Sequence, residues 1–134
     1  MVVEDDDDIR ISLEQVLEFS DICAIAKCNG KEALEWLQNC GDHELPSLIL
    51  LDLMMPEMDG YTFRYHQLKD PRLSQIPTII VSAVGRGEID RAMMYCSRYL
   101  PKPYNIDELL DAIHGTGSAV REIVKTKLER SPKK

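Results

Sequence analysis

No stretch of this sequence stays apolar for the roughly 20 residues that a helix needs to cross a bilayer, so no membrane span is expected. Its first residues, MVVEDDDDIR, are acidic where a secretory signal is basic. Cysteine is scarce: Cys23, Cys28, Cys40 and Cys96 form no CxxC pair and keep no metal-ligand spacing with His43, His66 or His114. Reduced thiols in a cytosolic protein are the expectation. There is no GxxxxGK[ST] loop, which excludes a P-loop nucleotide site as far as a motif can. No Ser/His/Asp or Cys/His grouping offers nucleophilic catalysis, and the acidic run lacks the glycine and later glutamate of an EF-hand loop. Positive charge is in deficit. With 16 Lys and Arg against 23 Asp and Glu, the net charge of −7 argues against nucleic acid or an anionic membrane as the main partner. The deficit is uneven, because residues 121–134 carry +4 and the first 120 carry −11.

What is present fits one soluble domain: 134 residues, 44% hydrophobic and 29% charged. Short apolar runs at Val2–Val3, Ile22–Ala26, Leu48–Leu51, Thr78–Ser82 and Tyr99–Leu100 predict strands. Helical periodicity marks five further segments. Their apolar residues are Ile9, Leu13, Val16 and Leu17; Ala33, Leu34 and Leu37; Tyr61, Tyr65 and Leu68; Ile89, Ala92, Met93 and Cys96; and Ile106, Leu109, Leu110 and Ile113. Asn29 with Glu32, and Asn105 with Glu108, have capping-box spacing. Asp7 or Asp8 is placed to cap the first helix, and Asp59 the third. Five βα units imply an α/β doubly wound fold, with a parallel sheet covered by helices on both faces.

Open sheets of this kind bind ligands at the carboxyl ends of their strands. Glu4 and Asp5 follow the first strand, Asp52 follows the third, Ser82 ends the fourth and Lys102 follows the fifth. If the first and third strands are neighbours, three carboxylates converge. Unpaired, they would raise one another's pKa, and a divalent cation removes that conflict. An all-oxygen set with room for water suits Mg²⁺. A carboxylate beside such a cation is able to accept a phosphoryl group, since that transfer needs mostly positioning and charge neutralisation. Asp6, Asp7 and Asp8 read as a solvated run that favours the positive end of the first helix. The third strand continues DLM rather than DxD, which speaks against a haloacid-dehalogenase-like phosphatase.

The stretches VVEDD (2–6), LILLDLMMPEMDG (48–60), IIVSA (79–83) and YLPKPY (99–104) together resemble the receiver domain of two-component response regulators, of the single-domain chemotaxis type. The resemblance runs from Val2 to about Ile113 and implies a (βα)5 flavodoxin-like fold with strand order 2-1-3-4-5. It divides the chain into a receiver domain over 1–114 and a basic, partly helical tail over 115–134. It also implies roles. Asp52 is the phosphoacceptor, with Glu4, Asp5, Asp52 and the backbone carbonyl of Met54 holding Mg²⁺. Lys102 contacts the phosphoryl oxygens, Ser82 hydrogen-bonds them, and Tyr99 changes rotamer on activation. The Lys102–Pro103 bond is expected to be cis. Met54 and Val84 flank the site where phosphoryl lifetime is tuned, and neither side chain can hold a water, which predicts slow self-dephosphorylation.

The partner implied is a histidine kinase or histidine phosphotransfer protein, with output to another protein through the face of the fourth helix, fifth strand and fifth helix. The domain would catalyse only its own aspartyl phosphorylation and dephosphorylation, as a monomer or a phosphorylation-dependent dimer. The alternatives are a phosphorylation-independent interaction module, or a receiver that belongs to a larger regulator or hybrid kinase. Two departures from the family pattern stand out: few residues precede the valine pair, and the run from Ser82 to Lys102 is about two residues short and has YCSRY in place of a Gly-Ala.

Overall fold

The computed structural model describes residues 1–83 and 98–116. The predicted fourth helix, Val84 and most of the predicted tail lie outside the described residues. The chain runs β1 (Val2–Val3), α1 (Asp7–Phe19), β2 (Ala26–Lys27), α2 (Gly30–Asn39), a 3-10 turn (Asp42–Glu44), β3 (Ile49–Leu51), α3 (Gly60–Lys69), β4 (Thr78–Ser82) and β5 (Arg98–Pro101). A helix over 106–116 follows, continuing through Gly115 and Thr116. All strand pairs are parallel and the order is β2-β1-β3-β4-β5, the flavodoxin-like arrangement.

Alternation along the strands builds two cores. Val3, Ile49, Leu51 and Ile80 face α2 and α3, where Leu37 and Phe63 are fully buried. Val2, Leu50, Ile79 and Val81 face α1 and the helix over 106–116, against Leu13, Leu17, Leu109 and Ala112. Strands apolar at every position are what burial on both faces requires.

Several sequence expectations shift. The second strand is Ala26–Lys27 rather than Ile22–Ala26, because β1 begins at Val2 and pairs only from Ala26 onward. Cys23 and Ala24 instead line a cavity of about 550 Å³ at the amino ends of the strands, beside Met1, Leu17, Leu48 and Ile113. The Met1 ammonium donates to the Leu48 carbonyl there at 2.8 Å. The first helix is capped by Asp6, not Asp7 or Asp8, since the Asp6 Oδ1 accepts from the Ile9 amide. Asn29, Asp59 and Asn105 cap as expected, each accepting from the amide three residues on. In α3 the expected face of Tyr61, Tyr65 and Leu68 is not the buried one. Tyr65 and Leu68 are exposed, and Phe63, Arg64 and Gln67 are buried. Gln67 is tolerated there because its amide donates to the Leu73 and Ile76 carbonyls while its oxygen accepts from Arg64. In the helix over 106–116, Leu109 and Ile113 are buried but Ile106 is exposed.

Candidate functional site

The register sets the site. Val3 lies opposite Leu51, and Leu51 opposite Ile80, so the residues that follow β1 and β3 emerge side by side at the carboxyl edge. Glu4 and Asp52 are both buried there, while Asp5 is exposed. One carboxylate oxygen from each of Glu4, Asp5 and Asp52 lies within 4.8 Å of the others. Lys102, just after β5, reaches over them, with its Nζ 3.3 Å from Asp52 Oδ2 and 3.5 Å from Glu4 Oε1. The Lys102–Pro103 bond is cis, and the Lys102 amide donates to the Ser82 carbonyl, tying β5's end to β4's.

Three carboxylates against one ammonium leave an excess of negative charge, and its effect falls on Glu4. Burial, together with the hydrogen bond and charge of Asp52, pushes the Glu4 carboxyl from 4.5 up to about 8. For Lys102, burial acts downward, but Asp52 and Glu4 outweigh it and the net shift is upward. A cluster that must keep a proton to relieve itself fits a divalent cation, and oxygen donors with one exposed member fit Mg²⁺. Among the described residues this is the group of acids able to hold a metal. A space of about 10 Å³, at most the room of one water, adjoins it and is lined by Glu4, Asp52, Lys102 and Tyr104.

The loop after Asp52 is held by backbone contact. The Met54 amide donates to Asp52 Oδ1 at 3.2 Å, and the Met54 side chain stands largely in solvent. The Gly60 amide donates to the Leu53 carbonyl, and a Cβ at Gly60 would lie 2.5 Å from the Asp52 carbonyl oxygen. Only glycine fits there, so α3 begins directly against the backbone of Asp52. Ser82 is buried at the end of β4, opposite Pro101. Tyr99 is half-buried and its hydroxyl donates to the Ser82 carbonyl at 2.9 Å.

The structure thus brings together Glu4, Asp5, Asp52 and Lys102, with Ser82 on the neighbouring strand end, Met54 on the adjoining loop and Tyr99 on β5. Two neighbours carry no role in the sequence reading, although Tyr104 ends the stretch YLPKPY. Tyr104 lines the same cleft, and burial raises its hydroxyl's pKa. Arg10 folds back from α1 under the acids. Its one sequence sign is a basic residue three places after Asp7, in the opening turn of an acidic helix.

Comparison with known proteins agrees with this geometry. The family model described as the response regulator receiver domain matches residues 1–114. Response regulator Rre1 of Synechocystis sp. is 35% identical over 113 residues, which is 81% of this chain and 47% of Rre1. The DNA-binding transcriptional regulator NtrC of Escherichia coli is 34% identical over 125 residues, 90% of this chain and 25% of NtrC. The chain therefore spans about half the length of one curated relative and a quarter of the other. Among solved structures, the signal receiver domain of a signal transduction histidine kinase from Syntrophus aciditrophicus matches with a TM-score of 0.80 and 27% identity over 89% of both chains.

Proposed function

The chain belongs to the response regulator receiver family, and from that premise we propose that it is a phosphorylation-dependent signalling switch with Asp52 as the acceptor. The observation that carries this is the convergence of the Glu4, Asp5 and Asp52 carboxylates within 4.8 Å under the Lys102 ammonium. Glu4, Asp5 and Asp52 would hold Mg²⁺, with the Met54 carbonyl as a further oxygen. Bound there, the cation supplies charge neutralisation for the acids and for the incoming phosphoryl oxygens.

An Asp52 carboxylate oxygen attacks the phosphorus of a phosphohistidine on a kinase or phosphotransfer protein. The P–N bond breaks as the P–O bond forms, and the histidine nitrogen leaves with the electron pair. Lys102 exchanges its contact with Asp52 Oδ2 for one with the phosphoryl oxygens, and the Ser82 hydroxyl donates to another. Recruitment of Ser82 bears on Tyr99, whose hydroxyl already bonds the Ser82 carbonyl. That link biases a two-state surface that includes β5 and the helix over 106–116, and output follows by protein contact. The only chemistry the domain catalyses is on its own Asp52. The exposed, apolar Met54 side chain offers no hydrogen bond to an attacking water, which favours a long-lived phosphoryl group.

The test is intact mass after incubation with acetyl phosphate and Mg²⁺, beside an Asp52→Asn control. One added phosphoryl on the wild type, and none on the control or with EDTA, is the expected result. If folded wild type accepts neither a phosphoryl group nor beryllofluoride, the reading is overturned.

A further inference from the structure

The loop that presents Glu4 and Asp5 has almost no secondary structure of its own. β1 ends at Val3 and α1 begins at Asp7, so Glu4, Asp5 and Asp6 cross the edge of the sheet as irregular chain. The Glu4 amide is anchored to the Lys27 carbonyl. The carbonyls are held from the other side. Arg10 Nη1 donates to the Glu4 carbonyl at 3.0 Å and lies 3.4 Å from the Asp5 carbonyl, while Nη2 pairs with Asp7 Oδ1. The Arg10 side chain is only 17% exposed although Asp7 beside it is 78% exposed, so it lies along the loop rather than extended into solvent.

A planar guanidinium has donors enough, in a fixed fork, to engage two carbonyls and a carboxylate at once, which an ammonium on a flexible stem does not reproduce. Its charge sits beneath the Glu4–Asp8 run and opposes the repulsion that would splay the loop. We propose that Arg10 is a positioning residue that clamps the backbone of Glu4 and Asp5 and so fixes the two acids in the arrangement that binds the divalent cation. The inference rests on the reading of Glu4, Asp5 and Asp52 as the Mg²⁺ site.

A matched control exists within the same molecule. Arg72 makes the same kind of fork at the end of α2, donating to the Leu37 and Cys40 carbonyls and pairing with Asp42. Arg10→Ala, Arg10→Lys and Arg72→Ala, each confirmed folded, would be titrated with Mg²⁺ alone by calorimetry. Amide hydrogen exchange of residues 4–8 would be followed in parallel without metal. Arg10→Ala is expected to weaken Mg²⁺ about tenfold or more, in the range found when a group supporting a metal ligand is removed. It should also speed exchange across residues 4–8. Arg10→Lys should recover less than half of the affinity loss on a logarithmic scale, and Arg72→Ala should bind like the wild type. Wild-type affinity in Arg10→Ala, or an equal loss in Arg72→Ala, overturns the clamp. A wild type that binds no Mg²⁺ overturns the underlying site reading, and the clamp's role in it, by a separate result.

Discussion

Because the Glu4 carboxyl is pushed up to about 8, the proposed Mg²⁺ would have to displace a proton from Glu4 at neutral pH. The sign follows. Below the shifted value, one proton leaves for each ion bound, so apparent affinity falls about tenfold for each pH unit. At pH 6 it should be roughly 100-fold weaker than on the plateau above pH 8, or about 2.7 kcal/mol. Bare stability is a poorer reporter. Glu4's raised value makes the folded state lose stability as pH rises from 4.5 through 8. The Met1 ammonium, lowered by burial from 8.0 to about 6, makes it lose stability as pH falls through 8 toward 6. The two slopes oppose each other between pH 6 and 8, whereas proton release on binding isolates Glu4. Calorimetric Mg²⁺ titrations at pH 6.5, in two buffers of different ionisation enthalpy, should count close to one proton released. At pH 9 they should count close to none, and Glu4→Gln should release none at either pH. A flat affinity from pH 6 to 9 with no buffer dependence would refute the argument, because Glu4 would then be ionised in the free protein.

Two further outcomes follow from the geometry. Gly60→Ala sets a methyl group 2.5 Å from the Asp52 carbonyl oxygen, where the contact is backbone and cannot rotate away. It should cost about 1–3 kcal/mol in chemical denaturation and slow phosphoryl acceptance; an unchanged denaturation midpoint would show that α3 does not press on Asp52. Lys102→Ala removes a cation 3.3 Å from Asp52 Oδ2, so phosphoryl acceptance should fall about a hundredfold while Mg²⁺ still binds. A rate within threefold of wild type, from phosphoryl incorporation over time, would remove Lys102 from the chemistry.

The sequence carried the site better than it carried some of the fold. Apolar runs, Ile49–Leu51 in β3 and Ile79–Val81 in β4, identified these strands because both their faces are buried, and side-chain caps located α2 and α3 because the capping residue is itself a local signal. The α3 face could not be read by apolar spacing. What makes Gln67 a core residue is a set of carbonyls at Leu73 and Ile76 that only the folded chain brings to it. Among four consecutive aspartates, residue type does not distinguish Asp6 as the cap; the backbone angle at which α1 leaves the sheet does. The second strand starts later than its apolar run because a strand exists only where a partner lies opposite, and partner length is not written in the strand's own residues. Arg10 is illegible in the sequence for a related reason: a side chain that holds backbone carbonyls leaves no spacing rule behind.

The wide separation of the site residues along the chain bears on when the site comes into existence. Lys102 and Glu4 are 98 residues apart, and Lys102 and Asp52 are 50 apart. No hairpin or local unit contains two of these three groups, because parallel neighbours are joined only through long crossovers. The site is therefore closed by contacts of long sequence separation, and such contacts are slow to form because chain closure is entropically costly before it is rewarded. A chain in which β1 and β5 have not joined the sheet would present Asp52 with neither the acids beside it nor the lysine above it. On the proposed reading, phosphoryl acceptance would report that the strands bearing Glu4, Asp52 and Lys102 have come together.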